Sequence, residues 1–314
     1  MGAVHILLVG NIASYGAACL RNRLEESHHI SLLTPDTELT PVEIIVGNPV
    51  TRRMIEAAPR LRLVHAAGAG CDAIDMAALP AQVPVCNVFH HERAIAEYVI
   101  MTVLAMERNL IRIDRDLRLG LWESSCVTGP PMARELAGSK LGILGFGHIG
   151  REVEHLASAF DMEIDSLASR YTRTELESLL AGSDYLVIAC PLNEHTRGLI
   201  GPAELSLMKP TAALIHVARG EIVDESALYE ALRDRTIRAA AIDVWYQYPG
   251  DGKPCLPSRY AFHNLDNVIM TPHCSGWTER VLERRFHDIA ANVDRLARGE
   301  PLRNLVRREA IHAN

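Results

Sequence analysis

No stretch of this chain is apolar for long enough to cross a bilayer. The longest apolar run, Ala94 to Met106, is broken by Glu97 and falls short of the roughly 20 residues a spanning helix needs. Ile6-Leu7-Leu8-Val9 lacks the length and the basic flank of a secretory leader, so it reads as a first strand and the chain as cytoplasmic. Cys-x-x-Cys is absent. The seven cysteines, at 19, 71, 86, 126, 190, 255 and 274, match neither a disulfide framework nor a zinc site, so no metal is expected. Nor is there a surplus of positive charge: a net charge of −7 argues against a dedicated nucleic-acid or anionic-membrane partner. Local charge runs such as Arg112-Ile113-Asp114-Arg115-Asp116 mix signs and read as solvated helix faces. No short-period repeat or low-complexity segment is visible.

The chain has 314 residues, 48% hydrophobic and 23% charged, enough for two domains with substantial cores. Short apolar runs predict strands at His5–Val9, Ile30–Leu33, Val42–Val46, Leu63–Ala66 and Val83–Asn87, with helices at Tyr15–Glu26 and Met54–Ala58. One long helical pattern then runs from about Ala94 to Leu119, followed by a loop of small residues and proline from Ser124 to Pro131. A second series places strands at Lys140–Leu144, Glu163–Leu167, Tyr185–Ala189, Ala213–His216, Ala239–Asp243 and Val268–Met270. A last helix is expected over Thr278–Ala297, stopped by Gly299-Glu300-Pro301. Strands alternating with helices at this spacing imply an α/β protein built on doubly wound parallel sheets.

Gly145-Phe146-Gly147-His148-Ile149-Gly150 follows an apolar strand and opens a helix expected over Arg151–Phe160. That context lifts the pattern above a merely structural glycine turn. Gly145 permits the tight turn, Gly147 the approach of a pyrophosphate, and Gly150 close packing of helix on sheet. The pyrophosphate would meet free N–H groups at the helix N-terminus, beside His148 and Ile149. An NAD site usually carries an acid about 20 residues further on. The stretch Leu167-Ala168-Ser169-Arg170-Tyr171-Thr172-Arg173 has none, and Asp165 falls too early, within the strand. Ser169, Arg170 and Arg173 would instead suit a 2′-phosphate, which points to NADP over NAD. The alternative is that both arginines are ordinary surface residues.

Three further blocks follow in order: Val217-Ala218-Arg219-Gly220-Glu221-Ile222-Val223-Asp224, Ala241-Ile242-Asp243-Val244-Trp245 and Thr271-Pro272-His273-Cys274-Ser275-Gly276. From about Leu61 to Leu302 the chain resembles the D-isomer-specific 2-hydroxyacid dehydrogenases. The resemblance implies two Rossmann-like domains, the cofactor domain inserted into a flavodoxin-like substrate domain. Boundaries then fall at 1–91 with 279–314 for the substrate domain and 92–278 for the dinucleotide domain. It implies that Arg219 clamps the substrate carboxylate and polarises its carbonyl, a task suited to a permanently charged guanidinium. The Gly68-Ala69-Gly70 turn would hold the same carboxylate through backbone N–H groups. His273 would be the proton donor, or the base in oxidation, its pKa lying near working pH. Most of the 14 histidines read as structural, but the Thr-Pro-His-x-x-Gly setting singles this one out. By the same resemblance Cys190, Pro191 and Thr196 lie beneath the nicotinamide ribose and Asp243 bonds the nicotinamide amide. Val217, Ala218 and Gly276 complete the coenzyme site. A homodimer formed through the cofactor domain, using the Ala94–Arg118 pattern, is also implied.

One residue of that set is missing. The family places a glutamate five residues after Asp243 to pair with the histidine, and here that position is Tyr248. A tyrosine can orient an imidazole but brings no charge near neutral pH, since phenol ionises near ~10. Gln247 and Asp251 could substitute if their loop folds back. His90-His91-Glu92 resembles a metal cluster on paper, but adjacent side chains diverge, and it reads as a hinge loop. The reading these features favour is an NADP- or NAD-dependent reductase of a small 2-oxoacid, glyoxylate or hydroxypyruvate by family analogy. A formate- or phosphite-type oxyanion dehydrogenase and a coenzyme-sensing corepressor are the alternatives.

Overall fold

The structure, a computed structural model, describes residues 3–122, 125–129, 132–250 and 253–306. Asp251 and both ends of the expected Ser124–Pro131 loop lie outside the described residues. The chain divides into two compact units, Met1–His90 with Thr278–Asn314, and His91–Trp277.

The first unit contains β1 (His5–Val9), α1 (Ala13–Arg21), β2 (His29–Leu32), β3 (Ile44–Gly47), α2 (Arg52–Glu56), β4 (Leu63–His65) and β5 (Val85–Cys86). The second contains α3 (Glu92–Glu107), α4 (Leu110–Arg118), β6 (Lys140–Leu144), α5 (His148–Ser158), β7 (Glu163–Leu167), α6 (Arg173–Gly182), β8 (Tyr185–Ile188), α7 (Pro202–Leu207), β9 (Ala213–His216), α8 (Glu225–Arg233), β10 (Ala239–Ile242) and β11 (Val268–Met270). The chain then returns to the first unit with α9 (Glu279–Arg298) and β12 (Leu305–Val306).

Sheet order in the first unit is β12-β5-β4-β3-β1-β2. Its first five strands run parallel in the flavodoxin order, and β12 adds an antiparallel edge. Period-2 alternation sends Ile6, Leu8, Ile44, Val46 and Leu63 into a core shared with Leu20 of α1 and Phe286, Ile289 and Val293 of α9. Leu7, Val9, Ile45, Val64 and Val85 face the other way, onto Met54 and Ile55 of α2. Burial on both faces explains why these strands read as unbroken apolar runs.

The second unit repeats the device with order β11-β10-β9-β8-β6-β7, all parallel. Leu144, Leu186, Ile188, Leu214 and Ile242 pack under α6, α7 and α8. Ile143, Val187, Ile215 and Ala241 pack under α3 and α5. The order reverses between β6 and β8, so loops leaving those two strands open a crevice at their carboxyl ends.

Several boundaries differ from expectation. The helix expected over Tyr15–Glu26 is α1, which ends at Arg21. The single helical pattern over Ala94–Leu119 is two helices, broken at Asn109 with φ of 48°, a left-handed conformation that asparagine tolerates. Strand β12 carries no periodicity and was invisible in sequence; among the described residues it pairs with β5.

Candidate active site

The switch point is occupied by the glycine turn. Gly145 has φ of +108°, and a Cβ there would lie 2.3 Å from the Cys190 nitrogen, so only glycine fits. A Cβ on Gly150 would come within 2.6 Å of the Gly145 carbonyl oxygen, which closes α5 onto the strand. At Gly147 a Cβ would meet nothing within 4 Å. The glycine leaves open space at the N-cap of α5, whose first residues are His148 and Ile149. Backbone approach plus a helix N-terminus is what a pyrophosphate requires, so these residues fit a dinucleotide.

The turn is tied to β7 by two bonds, from the Gly145 and Phe146 nitrogens to the Leu167 carbonyl, at 2.9 and 3.0 Å. Beyond β7, Ser169 and Arg170 are exposed. Arg173 is otherwise engaged: its guanidinium binds Glu177 at 2.7 Å and Glu204 at 2.5 Å. Thr172 caps α6 reciprocally with Glu175. On the neighbouring strand exit, burial pushes the Cys190 thiol up to about 12. The loop after Pro191 is closed by Thr196, whose hydroxyl donates to the Pro191 carbonyl at 2.6 Å and accepts from the Asn193 nitrogen at 2.8 Å.

Arg219 follows β9 in extended backbone and precedes a 3-10 turn over Gly220–Ile222. A Cβ on Gly220 would sit 2.5 Å from the Trp245 carbonyl oxygen, so this glycine lets the Arg219 loop close onto the loop after β10. One Arg219 guanidinium nitrogen donates to the Ala218 carbonyl at 2.8 Å. Val217 and Ala218 are buried. Beneath them His216 is fully buried, and its ring makes no bond to another side chain. Burial holds its pKa down at about 4, against the nearby Gly220 and Arg219 backbone.

His273 takes φ of 55°, a left-handed conformation. Asp243 sets up the turn that imposes it. This fully buried carboxylate accepts from Thr271 Oγ1 at 2.6 Å and from the Cys274 and Ser275 nitrogens at 2.9 Å each. Tyr98 of α3 bonds Thr271 Oγ1 at 2.7 Å, and the Trp245 indole donates to the Thr271 carbonyl at 2.8 Å. Sequence reasoning gave Asp243 to the coenzyme alone and passed over Tyr98, Thr271 and the Trp245 indole. Only the position of Thr271 ahead of Pro272-His273 hinted at a role; Tyr98 read as one more apolar helix residue.

Tyr248 meets His273: its hydroxyl lies 3.0 Å from Nδ1. The same oxygen accepts from the Trp245 backbone nitrogen at 3.2 Å, which fixes the phenol over the Asp-Val-Trp strand exit. Burial raises its pKa, opposed by the Trp245 N–H and the Arg219 charge, so Tyr248 is a neutral phenol at physiological pH. The Gln247 backbone nitrogen donates to the Pro257 carbonyl at 3.0 Å. Gly276 lies against His91, where a Cβ would come within 3.2 Å of the His91 Cβ. His91 stands at the N-terminus of α3 without a side-chain capping bond, while His90 belongs to the first unit with φ of 77° and binds Asp288 at 2.6 Å. The two adjacent histidines thus serve different units.

In the first unit Gly68, Ala69 and Gly70 form the turn beyond β4. The Gly68 carbonyl accepts from the Val88 nitrogen at 3.2 Å, and the Ala69 carbonyl from the Asn87 amide at 2.9 Å. Among the described residues no helix is long and apolar enough to cross a membrane, and all seven cysteines are free.

A doubly wound sheet with a glycine turn at its switch point is a dinucleotide-binding architecture. The family model for the D-isomer specific 2-hydroxyacid dehydrogenase, NAD binding domain, matches residues 100–275. The chain belongs to that family. It is 30% identical to a glyoxylate reductase of Pyrococcus furiosus, with 92% of each chain covered. It is 34% identical to a D-3-phosphoglycerate dehydrogenase of Methanocaldococcus jannaschii over 83% of this chain, but spans only 50% of that relative. A solved D-isomer specific 2-hydroxyacid dehydrogenase from Xanthobacter autotrophicus Py2, in complex with NADPH and MES, superposes with a TM-score of 0.82. That structure is 25% identical, with 99% of this chain and 100% of the other covered.

Proposed function

We propose that this chain reduces a small 2-oxoacid to the D-2-hydroxyacid with NADP(H) or NAD(H), as a glyoxylate/hydroxypyruvate-type reductase. The observation that carries the reading is the 3.0 Å contact between Tyr248 and His273 Nδ1. It fixes Nδ1 as the ring atom turned to Tyr248, and Nε2 is the atom assigned here to proton transfer. A nicotinamide coenzyme held by the Gly145–Gly150 turn would supply a hydride for the carbonyl carbon. Arg219 draws the developing negative charge onto the carbonyl oxygen, and His273 gives that oxygen one proton from Nε2. One hydride and one proton complete the alcohol. In the first unit the Gly68–Gly70 turn serves the substrate carboxylate.

Tyr248 is the residue that departs from the family. A phenol oxygen has two lone pairs. One takes the Trp245 N–H, and the other can take Nδ1–H of the protonated imidazole. Orientation is thereby kept without the carboxylate charge that would stabilise an imidazolium. Absorbance assays of a 2-oxoacid panel with NADPH and NADH test the reading; coenzyme binding without turnover of any oxoacid would overturn it.

For the coenzyme, the absence of an acid after β7 and the exposure of Ser169 and Arg170 favour NADP. Arg173, held by two glutamates, is the weaker contributor. Arg170→Ala is expected to lower kcat/KM with NADPH about tenfold and leave NADH within about twofold. A wild-type preference for NADH would refute this. On the second unit, Leu110, Ile111 and Leu117 of α4 are 54%, 59% and 52% exposed. A second copy of the chain covering them accounts for this apolar face. Light scattering should give a dimer that Ile111→Glu dissociates. The free cysteines suit a reducing, cytoplasmic compartment.

A further inference from the structure

We propose that Tyr98 and Thr271 are positioning residues for His273: their two hydroxyls form a one-way chain that aims the Asp243 carboxylate at the turn carrying that histidine. This rests on the assignment of His273 to proton transfer. All of the residues involved belong to the second unit. Thr271 Oγ1 donates to Asp243 at 2.6 Å. A threonine hydroxyl has a single proton, so the 2.7 Å contact between Tyr98 and Thr271 Oγ1 has the phenol as donor. Burial raises the Tyr98 pKa, so that proton is present throughout the working pH range. The chain therefore runs from Tyr98 to Thr271 to Asp243, and it cannot reverse at a carboxylate, which only accepts.

Each hydroxyl is anchored. Tyr98 lies on α3 in the core with Ile95, Val99 and Val103, where a phenylalanine would fill the same space. Packing does not ask for its hydroxyl, and burying one costs free energy unless it is bonded. Thr271 is pinned through its backbone, its nitrogen donating to the Ile242 carbonyl at 3.0 Å and its carbonyl accepting from the Trp245 indole at 2.8 Å. With Oδ1 held by Thr271, the carboxylate presents Oδ1 to the Cys274 nitrogen and Oδ2 to the Ser275 nitrogen, at 2.9 Å each. Those are the two residues after His273, whose φ of 55° is a conformation that residues other than glycine adopt at a cost. The two N–H bonds offset that cost only while the carboxylate keeps this rotation. His216, Cys274 and Tyr248 also feel the Asp243 charge, and all three are neutral at physiological pH. Titration of these neighbours therefore does not turn the carboxylate near pH 7.

Steady-state kinetics with glyoxylate and hydroxypyruvate test this. Tyr98→Phe keeps the packing and removes one proton from the chain. It is expected to lower kcat about fivefold, the worth of one hydrogen bond, with KM for the oxoacid within about twofold. Thr271→Val breaks the chain at its centre and should lower kcat about tenfold or more. Thr271→Ser, which keeps the hydroxyl, should recover most of that loss. Because Tyr98 acts through Thr271, adding Tyr98→Phe to Thr271→Val should change kcat by less than about twofold. Losses that multiply in the double variant would mark Tyr98 as a packing residue and overturn the proposal. So would an unchanged kcat in Tyr98→Phe, or a Thr271→Ser no better than Thr271→Val. Coenzyme affinity, carried mainly by the Gly145–Gly150 turn, should stay within about threefold and controls for folding. If no oxoacid is reduced at all, the reductase reading fails. Amide hydrogen exchange at Cys274 and Ser275 then decides the hydroxyl chain by itself. Protection that falls about fivefold in Tyr98→Phe sustains it; unchanged protection overturns it.

Discussion

His65 ends β4 in the first unit and His216 ends β9 in the second, and each is fully buried beneath a loop that bears proposed substrate groups. They are wired differently. The His65 ring lies 2.9 Å from the Ala66 carbonyl through Nδ1, and Nε2 is 3.0 Å from the Asn292 amide. Asn292 in turn bonds both the carbonyl and the nitrogen of Arg303, so one imidazole joins β4 to α9 and to the segment that precedes β12. His216 makes no such side-chain bond from either ring nitrogen. The first unit thus uses a buried histidine as a polar tie between distant segments. The second holds its histidine by strand pairing with Ile188 and Ile242 and beside the Gly220 and Arg219 backbone, with no side-chain tie.

A third histidine gives the comparison its largest test. His273 is exposed and partnered by a neutral phenol, so its loss should cost chemistry and not stability. His273→Ala is expected to lower kcat by about 10²–10⁴ with little change in Tm, read by steady-state kinetics beside thermal unfolding. The reverse should hold at His65. His65→Leu leaves one Asn292 N–H without its acceptor while the bonds to Arg303 remain, and a buried polar group left unpaired costs about 1–3 kcal/mol; urea titration would measure it.

Acidification should expose both buried histidines together. Each has a folded pKa of about 4, below its ordinary value of 6.5. The unfolded chain therefore binds protons first as pH falls. The stabilisation is complete above pH 6.5 and drains away between 6.5 and about 4, by at most roughly 3 kcal/mol per histidine. Urea unfolding at stepped pH should show this slope, and replacing both residues should flatten it.

Tyr248→Glu probes the third histidine more gently. A carboxylate beside the ring favours imidazolium and raises the histidine pKa by about one unit. Reduction needs the protonated ring, so activity present at low pH should persist about one unit further toward alkali in the variant. Superimposed pH–rate profiles would show that Tyr248 does not set the proton donor. The smallest effect is expected at His216: His216→Leu removes a ring with no side-chain tie to lose and should stay within about 1 kcal/mol.

Much of this organisation was legible in the sequence because it depends on local pattern. The parallel sheets follow from apolar runs such as Leu7–Val9 and Tyr185–Ile188, buried on both faces. Gly145 and Gly150 announced a turn because no other residue fits there. The substitution at Tyr248 stood out against the family pattern, and its contact with His273 is present in the structure. Other features depend on residues far apart in the chain. Arg173 looked available until its bond to Glu204, 31 positions on, and nothing adjacent to Tyr98 signals Thr271, 173 positions away. The break at Asn109 was hidden because the helical period continues on both sides of it.

The return of α9 and β12 to the first unit has a consequence for biosynthesis. Phe286, Ile289 and Val293 fill the core under β1, β3 and β4, yet they are made after the whole of the second unit. A ribosome emitting this chain releases β1–β5 with one face of their sheet covered only by α1, and the share of that face that α9 fills stays open for nearly two hundred further residues. The second unit is contiguous and can collapse as soon as it emerges. The usual progression, in which the N-terminal domain folds first, is therefore inverted here. The half-built first sheet is the species a chaperone would meet.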